Sequence, residues 1–185
     1  MVYIENAEVP KENLIGDEGK GWTCAKYLLE FERGNAYSPA LKAAIQHLRS
    51  INAIENKDQG DRGVSDASLA QKINQIEIEI MALEFTELRI LGSLAAGQNL
   101  GPESSILKTR GTELQQSVTE LMAEIVGMEG IAKDQTTPED GDNFVPPIKV
   151  NANGVLQEYF NTRKVSIYAG SNEIQRNIMS KMVLG

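Results

Sequence analysis

The chain is poor in residues that build cross-links. It has a single cysteine, Cys24, and a single histidine, His47. One thiol forms no internal disulfide and gives no metal-ligand spacing, and with one imidazole beside it there are too few ligands for a structural zinc site. Cys24 lies close to Trp22 and Ala25, which points to a small buried residue rather than a reactive thiol. There is no apolar run of the roughly 18 residues that would span a membrane. The N-terminus lacks the charged-then-apolar layout of a signal peptide, so the expected location is cytoplasmic. Basic clusters are missing too. The formal net charge is -8, which disfavours nucleic acid and anionic membranes, because phosphate binding needs grouped Lys and Arg. No internal repeat is visible.

What is present is an ordinary globular balance, 41% hydrophobic and 24% charged over 185 residues, enough for one domain with a proper core. The opening differs from the rest. Val2, Ile4 and Val9 alternate with polar residues up to Pro10, which reads as the end of a strand running into a loop. A lone strand cannot satisfy its own backbone groups, so this opening asks for a sheet the sequence does not contain.

From Trp22 the pattern turns helical. Trp22, Ala25, Leu29, Ala36, Ala40, Ala43, His47, Ile51 and Ile54 recur at three-to-four spacing, with a break expected near Tyr37 because Pro39 removes a backbone donor. Residues 56–63 read as a loop. A second long helix spans about 65–96, with Leu69, Ile73, Ile76, Ile80, Leu83, Leu88, Leu91 and Leu94 as its stripe. Ser65 or Asp66 is its cap, and Gly97 with Asn99 its stop. A third begins at Gly101-Pro102-Glu103, with Leu114, Val118, Leu121 and Ile125 inward. Gly127 and Gly130 bracket a turn, and 134–150 form a long polar loop. A short helix at about 154–164 follows, then a last one after Ser171-Asn172 with Ile174, Ile178 and Met182 on one side. Long helices on short loops imply an all-α, up-down antiparallel bundle.

Fold alone names no function. The most specific segment is Tyr168-Ala169-Gly170-Ser171-Asn172-Glu173-Ile174-Gln175-Arg176-Asn177-Ile178. Gly170 permits close backbone approach, and Ser171 with the free amides of the next helix can bind polar or anionic groups. The bland alternative is an ordinary capped helix. This segment closely resembles the C-terminal signature of acyl-CoA dehydrogenases. Leu28-Leu29-Glu30-Phe31-Glu32-Arg33-Gly34, Gly101 to Lys108, and Gly127-Met128-Glu129-Gly130 resemble further segments of that family, in the family's order and over nearly the whole chain.

The resemblance implies that 1–17 are the tail of a middle β domain and 18–185 the C-terminal helical bundle. It implies FAD as cofactor, an acyl-CoA substrate, electron-transfer flavoprotein as acceptor, and a homo-oligomer, dimer or tetramer. The reaction would be α-proton abstraction and β-hydride transfer to the flavin, giving a 2-enoyl-CoA. Many members place the base immediately before the Gly of the signature. Here that residue is Ala169, which cannot take a proton. Another branch places it on the first long helix, directly before an Arg, and here Glu32 precedes Arg33. Glu32 is therefore the expected base and Ala169 the amide donor to the thioester carbonyl. Glu30 falls on another helix face. Gly170, Ser171 and Glu173 would line the cofactor edge, Tyr168 and Arg33 the substrate, while Arg163 divides between a site role and packing. The family's Arg-then-Phe-Gly segment, which helps hold the FAD diphosphate, is absent from 57–64, where only Arg62 is found. Alone, the chain is expected to bind FAD weakly. Two alternatives stand: a non-catalytic assembly subunit of the same fold, or an acyl-CoA oxidase-like relative.

Overall fold

The computed structural model describes residues 3–32, 36–59, 67–98, 101–131 and 152–185, with 29–32 and 56–59 described for their backbone alone. Among these residues are six α-helices: α1 Gly21–Glu32, α2 Ser38–Gln59, α3 Ala67–Ala95, α4 Glu103–Val126, α5 Val155–Thr162 and α6 Asn172–Leu184. Short 3-10 turns occur at Lys11–Asn13, Gly127–Ile131 and Arg163–Ser166. No strand forms among the described residues. From residue 3 onward the alternating segment expected to be a strand is exposed irregular chain, because a ladder needs a partner edge and none is described.

Helix α4 is the axis. It packs against α2, α3, α5 and α6, while α2 and α3 also pack on each other. Ion pairs report directions. Lys42 meets Glu84 and Arg49 meets Glu77 across α2 and α3, while Lys72 meets Glu124 and Arg110 meets Glu79 across α3 and α4. Both pairs of helices are therefore antiparallel. These pairs are exposed, so each contributes little. The core is Leu41, Ile45, Leu48 and Ile51 from α2, Leu69 to Ile90 from α3, and Leu107, Leu114, Val118, Leu121, Met122 and Val126 from α4.

The expected break before α2 is present: α1 stops at Glu32 and α2 starts at Ser38, so Pro39 lies in a first turn whose amides have no helical acceptor anyway. The phase across that break is different from the expected one. Leu41, Ile45, Leu48 and Ile51 face inward, while Ala36, Ala40, Ala43, His47 and Ile54 are exposed. One continuous stripe cannot be carried through a broken helix. α2 also continues through 56–59, which the polar composition had assigned to a loop, while 60–63 lie outside the described residues. Trp22 is 70% exposed and Cys24 is half-buried rather than buried. Among the described residues no other element packs closely on α1.

On α3 the expected stripe holds as far as Leu83. Beyond it Glu87 and Ile90 are buried, and Leu88, Leu91 and Leu94 are exposed. The helix ends as expected around Gly97: the Gly97 and Gln98 amides return to the Leu94 and Ser93 carbonyls at 2.9 and 3.0 Å. Ser65, Asp66, Asn99 and the 134–150 loop lie outside the described residues. On α6 the inward residues are Asn172 and Gln175, whereas Ile174 and Met182 are exposed.

Candidate functional site

The polypeptide between Val165 and Asn172 forms a tight turn on the α4 side of the bundle. Ala169 has φ +54° and Gly170 φ +83°, so consecutive residues are left-handed. For glycine this is free, but for alanine it costs about 1–2 kcal/mol. Such a residue persists only where its surroundings over-determine it. A side chain at Gly170 would also strike Gln175, its Cβ falling 2.6 Å from Nε2. Ser171 caps α6, its Oγ accepting the Ile174 amide at 3.5 Å.

Beneath the turn is a buried polar cluster. Ser105 Oγ donates to Gln175 Oε1 at 2.8 Å, and Gln175 Nε2 donates to the Gly170 carbonyl at 3.5 Å. Lys108 Nζ donates to the Val165 carbonyl at 3.0 Å and to Asn172 Oδ1 at 2.9 Å. Asn172 Nδ2 donates to Thr112 Oγ1 at 3.1 Å, whose own hydrogen goes to the Lys108 carbonyl at 2.9 Å. Burial pushes the Lys108 ammonium below its ordinary pKa, and the Glu173 carboxylate holds it partly up. Glu173 is exposed and lies in the first turn of α6. Its own backbone amide, then the Ser171 hydroxyl, then Arg176 and Lys108, keep its carboxyl below the usual range.

The segment before α2 meets the same region. Tyr37 and Ser38 donate their amides to Glu87 Oε1 at 2.6 and 3.0 Å, and the Ser38 hydroxyl bonds Oε2. Glu87 thus caps α2 from another helix. The Tyr37 ring lies against Gly111, where a Cβ would fall 2.3 Å from Cγ. Burial first, then the neighbouring Tyr168 phenol and Glu87, push Tyr37 above its ordinary pKa. Tyr37, just before α2, therefore neighbours Tyr168 of the signature turn.

The expected site residues divide accordingly. Tyr168, Ala169, Gly170, Ser171 and Glu173 form one exposed or half-buried edge. Tyr168 is 54% exposed. Glu32 is the last residue of α1, with its side chain beyond the described set, as is Arg33. Arg163 takes the packing role: it stacks 4.4 Å over the Tyr159 ring and donates to the Gln116 carbonyl at 2.9 Å. A bound cofactor would find one fitting edge here, with backbone presented at Gly170 and a hydroxyl at Ser171. These residues supply no enclosing wall. Tyr37, Glu87 and Thr112 were missed from sequence, and Lys108, Asn172 and Gln175, though inside the family-like segments, were given no role of their own. The available signal was a polar residue at an inward helical position, as Glu87 is between Leu83 and Ile90.

The family model described as acyl-CoA dehydrogenase, C-terminal domain, matches residues 19–184. IpdE1, an acyl-CoA dehydrogenase of Mycobacterium tuberculosis, is 25% identical over 190 residues, covering 100% of this chain and 43% of that protein. CarC, a subunit of the caffeyl-CoA reductase–Etf complex of Acetobacterium woodii, is 24% identical over 185 residues, covering 99% and 44%. The solved Tcur3481–Tcur3483 steroid ACAD has a TM-score of 0.76 at 18% identity, covering 99% of this chain and 44% of that one, and this likeness speaks to fold alone. The chain spans less than half the length of these relatives.

Proposed function

Since the chain belongs to the acyl-CoA dehydrogenase C-terminal domain family, we propose that it is the helical part of an FAD-dependent acyl-CoA dehydrogenase with Glu32 as the base. The observation that carries this reading is the strained turn at Ala169 and Gly170, which follows Tyr168, a neighbour of Tyr37 just before α2. A left-handed Ala169 keeps its amide in a fixed direction, which is what a donor to the thioester carbonyl requires. Holding the carbonyl polarises the α C–H bond, and a carboxylate at Glu32 then takes the proton. FAD, when bound, supplies the hydride acceptor. Gly170, Ser171 and Glu173 would line its edge, and Tyr168 and Arg33 the acyl-CoA. Residues 1–17 are the tail of a preceding β domain in this reading.

The partners follow. Electron-transfer flavoprotein is the acceptor, a reading supported by CarC's place in an Etf complex. Self-association is supported by α3, where Ile78, Met81, Phe85, Leu88 and Leu91 form an exposed apolar stripe. A second reading, a non-catalytic subunit paired with a catalytic one, is favoured by the methyl group at Ala169 where many members carry the base.

Flavin bleaching decides between them. The intact protein with FAD is mixed anaerobically with a panel of acyl-CoA thioesters, as wild type and as Glu32→Gln. Bleaching in the wild type, lost in a variant that still binds FAD, is the expected result. Equal bleaching in both removes Glu32 as base, and no bleaching with any thioester favours the non-catalytic subunit.

A further inference from the structure

We infer that Lys108 is a positioning residue, a clasp that closes the turn between Val165 and Asn172 and so holds the Ala169 amide in place, with Ser105 and Gln175 as its second fastening. The catalytic consequence rests on the function proposed above, whereas the clasp itself does not.

The argument starts from a cost. Lys108 is 3% exposed, and the hydrogen-bond acceptors of its ammonium are both neutral: the Val165 carbonyl and Asn172 Oδ1. Burying an ammonium whose direct acceptors are neutral is expensive even with the Glu173 carboxylate nearby, and an apolar side chain of similar length would fill the space without that penalty. The charge therefore contributes something an apolar residue cannot. Its acceptors stand at the two ends of one loop. Val165 lies in the 3-10 turn before it, and Asn172 opens α6 after it. One nitrogen bonded to both fixes the span of the loop, and the loop's crest is the left-handed pair Ala169 and Gly170.

The second fastening reaches the crest itself. Gln175 is 0% exposed. Its amide joins Ser105 on α4 to the Gly170 carbonyl, so the crest is tied down independently of Lys108. Asn172 is held in the orientation Lys108 needs by Thr112, which accepts from its Nδ2. Together these groups supply what an alanine in the left-handed region needs to stay there. They also leave a positive charge beneath the turn, where negative charge would develop on a thioester carbonyl during proton removal.

The test compares wild type, Lys108→Met, Gln175→Leu and the milder Thr112→Val in the intact flavoprotein. Backbone amide exchange is followed over 166–172, with the α2–α3 core as internal control. Flavin reduction by acyl-CoA is followed in parallel. Exchange over 166–172 should rise about tenfold or more in Lys108→Met and Gln175→Leu while core exchange is unchanged. The reduction rate should fall about 10–100-fold with KM altered far less, as expected for loss of an oriented donor to a developing oxyanion. Ala169→Gly added to Lys108→Met should recover part of the rate, since glycine takes the left-handed conformation without strain. Unchanged exchange over 166–172, or a rate loss that follows global stability across all variants, overturns the clasp. If the wild type reduces no flavin with any thioester, the proposed function fails, and the exchange measurement still decides the clasp.

Discussion

Tyr37 and Gly111 show how a single hydrogen atom can be a structural requirement. The ring occupies the space a Cβ on residue 111 would need, so Gly111→Ala is expected to cost about 1–3 kcal/mol through overpacking, read from urea unfolding. Tyr37→Ala in that background should recover part of the loss, because the ring is the obstacle. The same tyrosine makes a pH prediction. Its folded pKa is raised, so the folded state holds its proton where the unfolded chain has released it. Stability should therefore fall as pH rises above the ordinary phenol value of about 10 and towards the higher folded value. Alkaline unfolding curves of Tyr37→Phe should lack that slope. Neither effect was legible in the sequence, where Tyr37 is one aromatic next to a helix start and Gly111 one small residue in a helix. Both depend on which faces of α2 and α4 meet.

At the scale of the element, helical character was readable and rotational phase was not always so. α3 shows the reason. Leu69 to Leu83 follow the core stripe, but further along the helix carries apolar residues on more than one side, and Glu87 takes the inward place that Leu88 was expected to hold. The partners of this buried carboxylate are what hydrophobic periodicity does not anticipate, because the Tyr37 and Ser38 amides are distant in sequence. α2 makes the same point through Pro39: phase set before the break does not survive it. The contrast is testable at adjacent residues. Leu48→Ala should cost about 2–5 kcal/mol as a core truncation, whereas His47→Ala, on the exposed side, should change stability by no more than about 0.5 kcal/mol. Equal effects in thermal unfolding would mean the α2 phase is misassigned.

At the scale of the whole molecule the exposed apolar side chains are concentrated on α3 and α1 as well as at the chain ends. Phe85 is 67% exposed at the centre of the α3 stripe, and an unbroken row of this kind marks an interaction surface. If copies of the chain meet there, Phe85→Lys with Leu88→Lys should lower the mass seen by sedimentation velocity while leaving the helical signal intact. An unchanged mass would place self-association elsewhere. Trp22, Tyr27 and Leu28 on α1 are also exposed, in keeping with the proposal that further domains pack on this end. Among the described residues no helix is long and apolar enough to cross a membrane.

The sequence by itself determined the helices, the break at Pro39, the cap at Ser171 and the family, because each is written in local spacing or in a contiguous segment. It also marked out the 168–173 edge, since those residues are neighbours in the chain. Only the tertiary structure decided that Ala169 is left-handed, that Lys108 is buried beneath it, and that Tyr37 lies beside Tyr168. These depend on groups far apart in sequence whose pairing is set by how α2 and α6 pack on α4. A hydrogen bond between distant helices leaves no periodic trace in the chain that forms it.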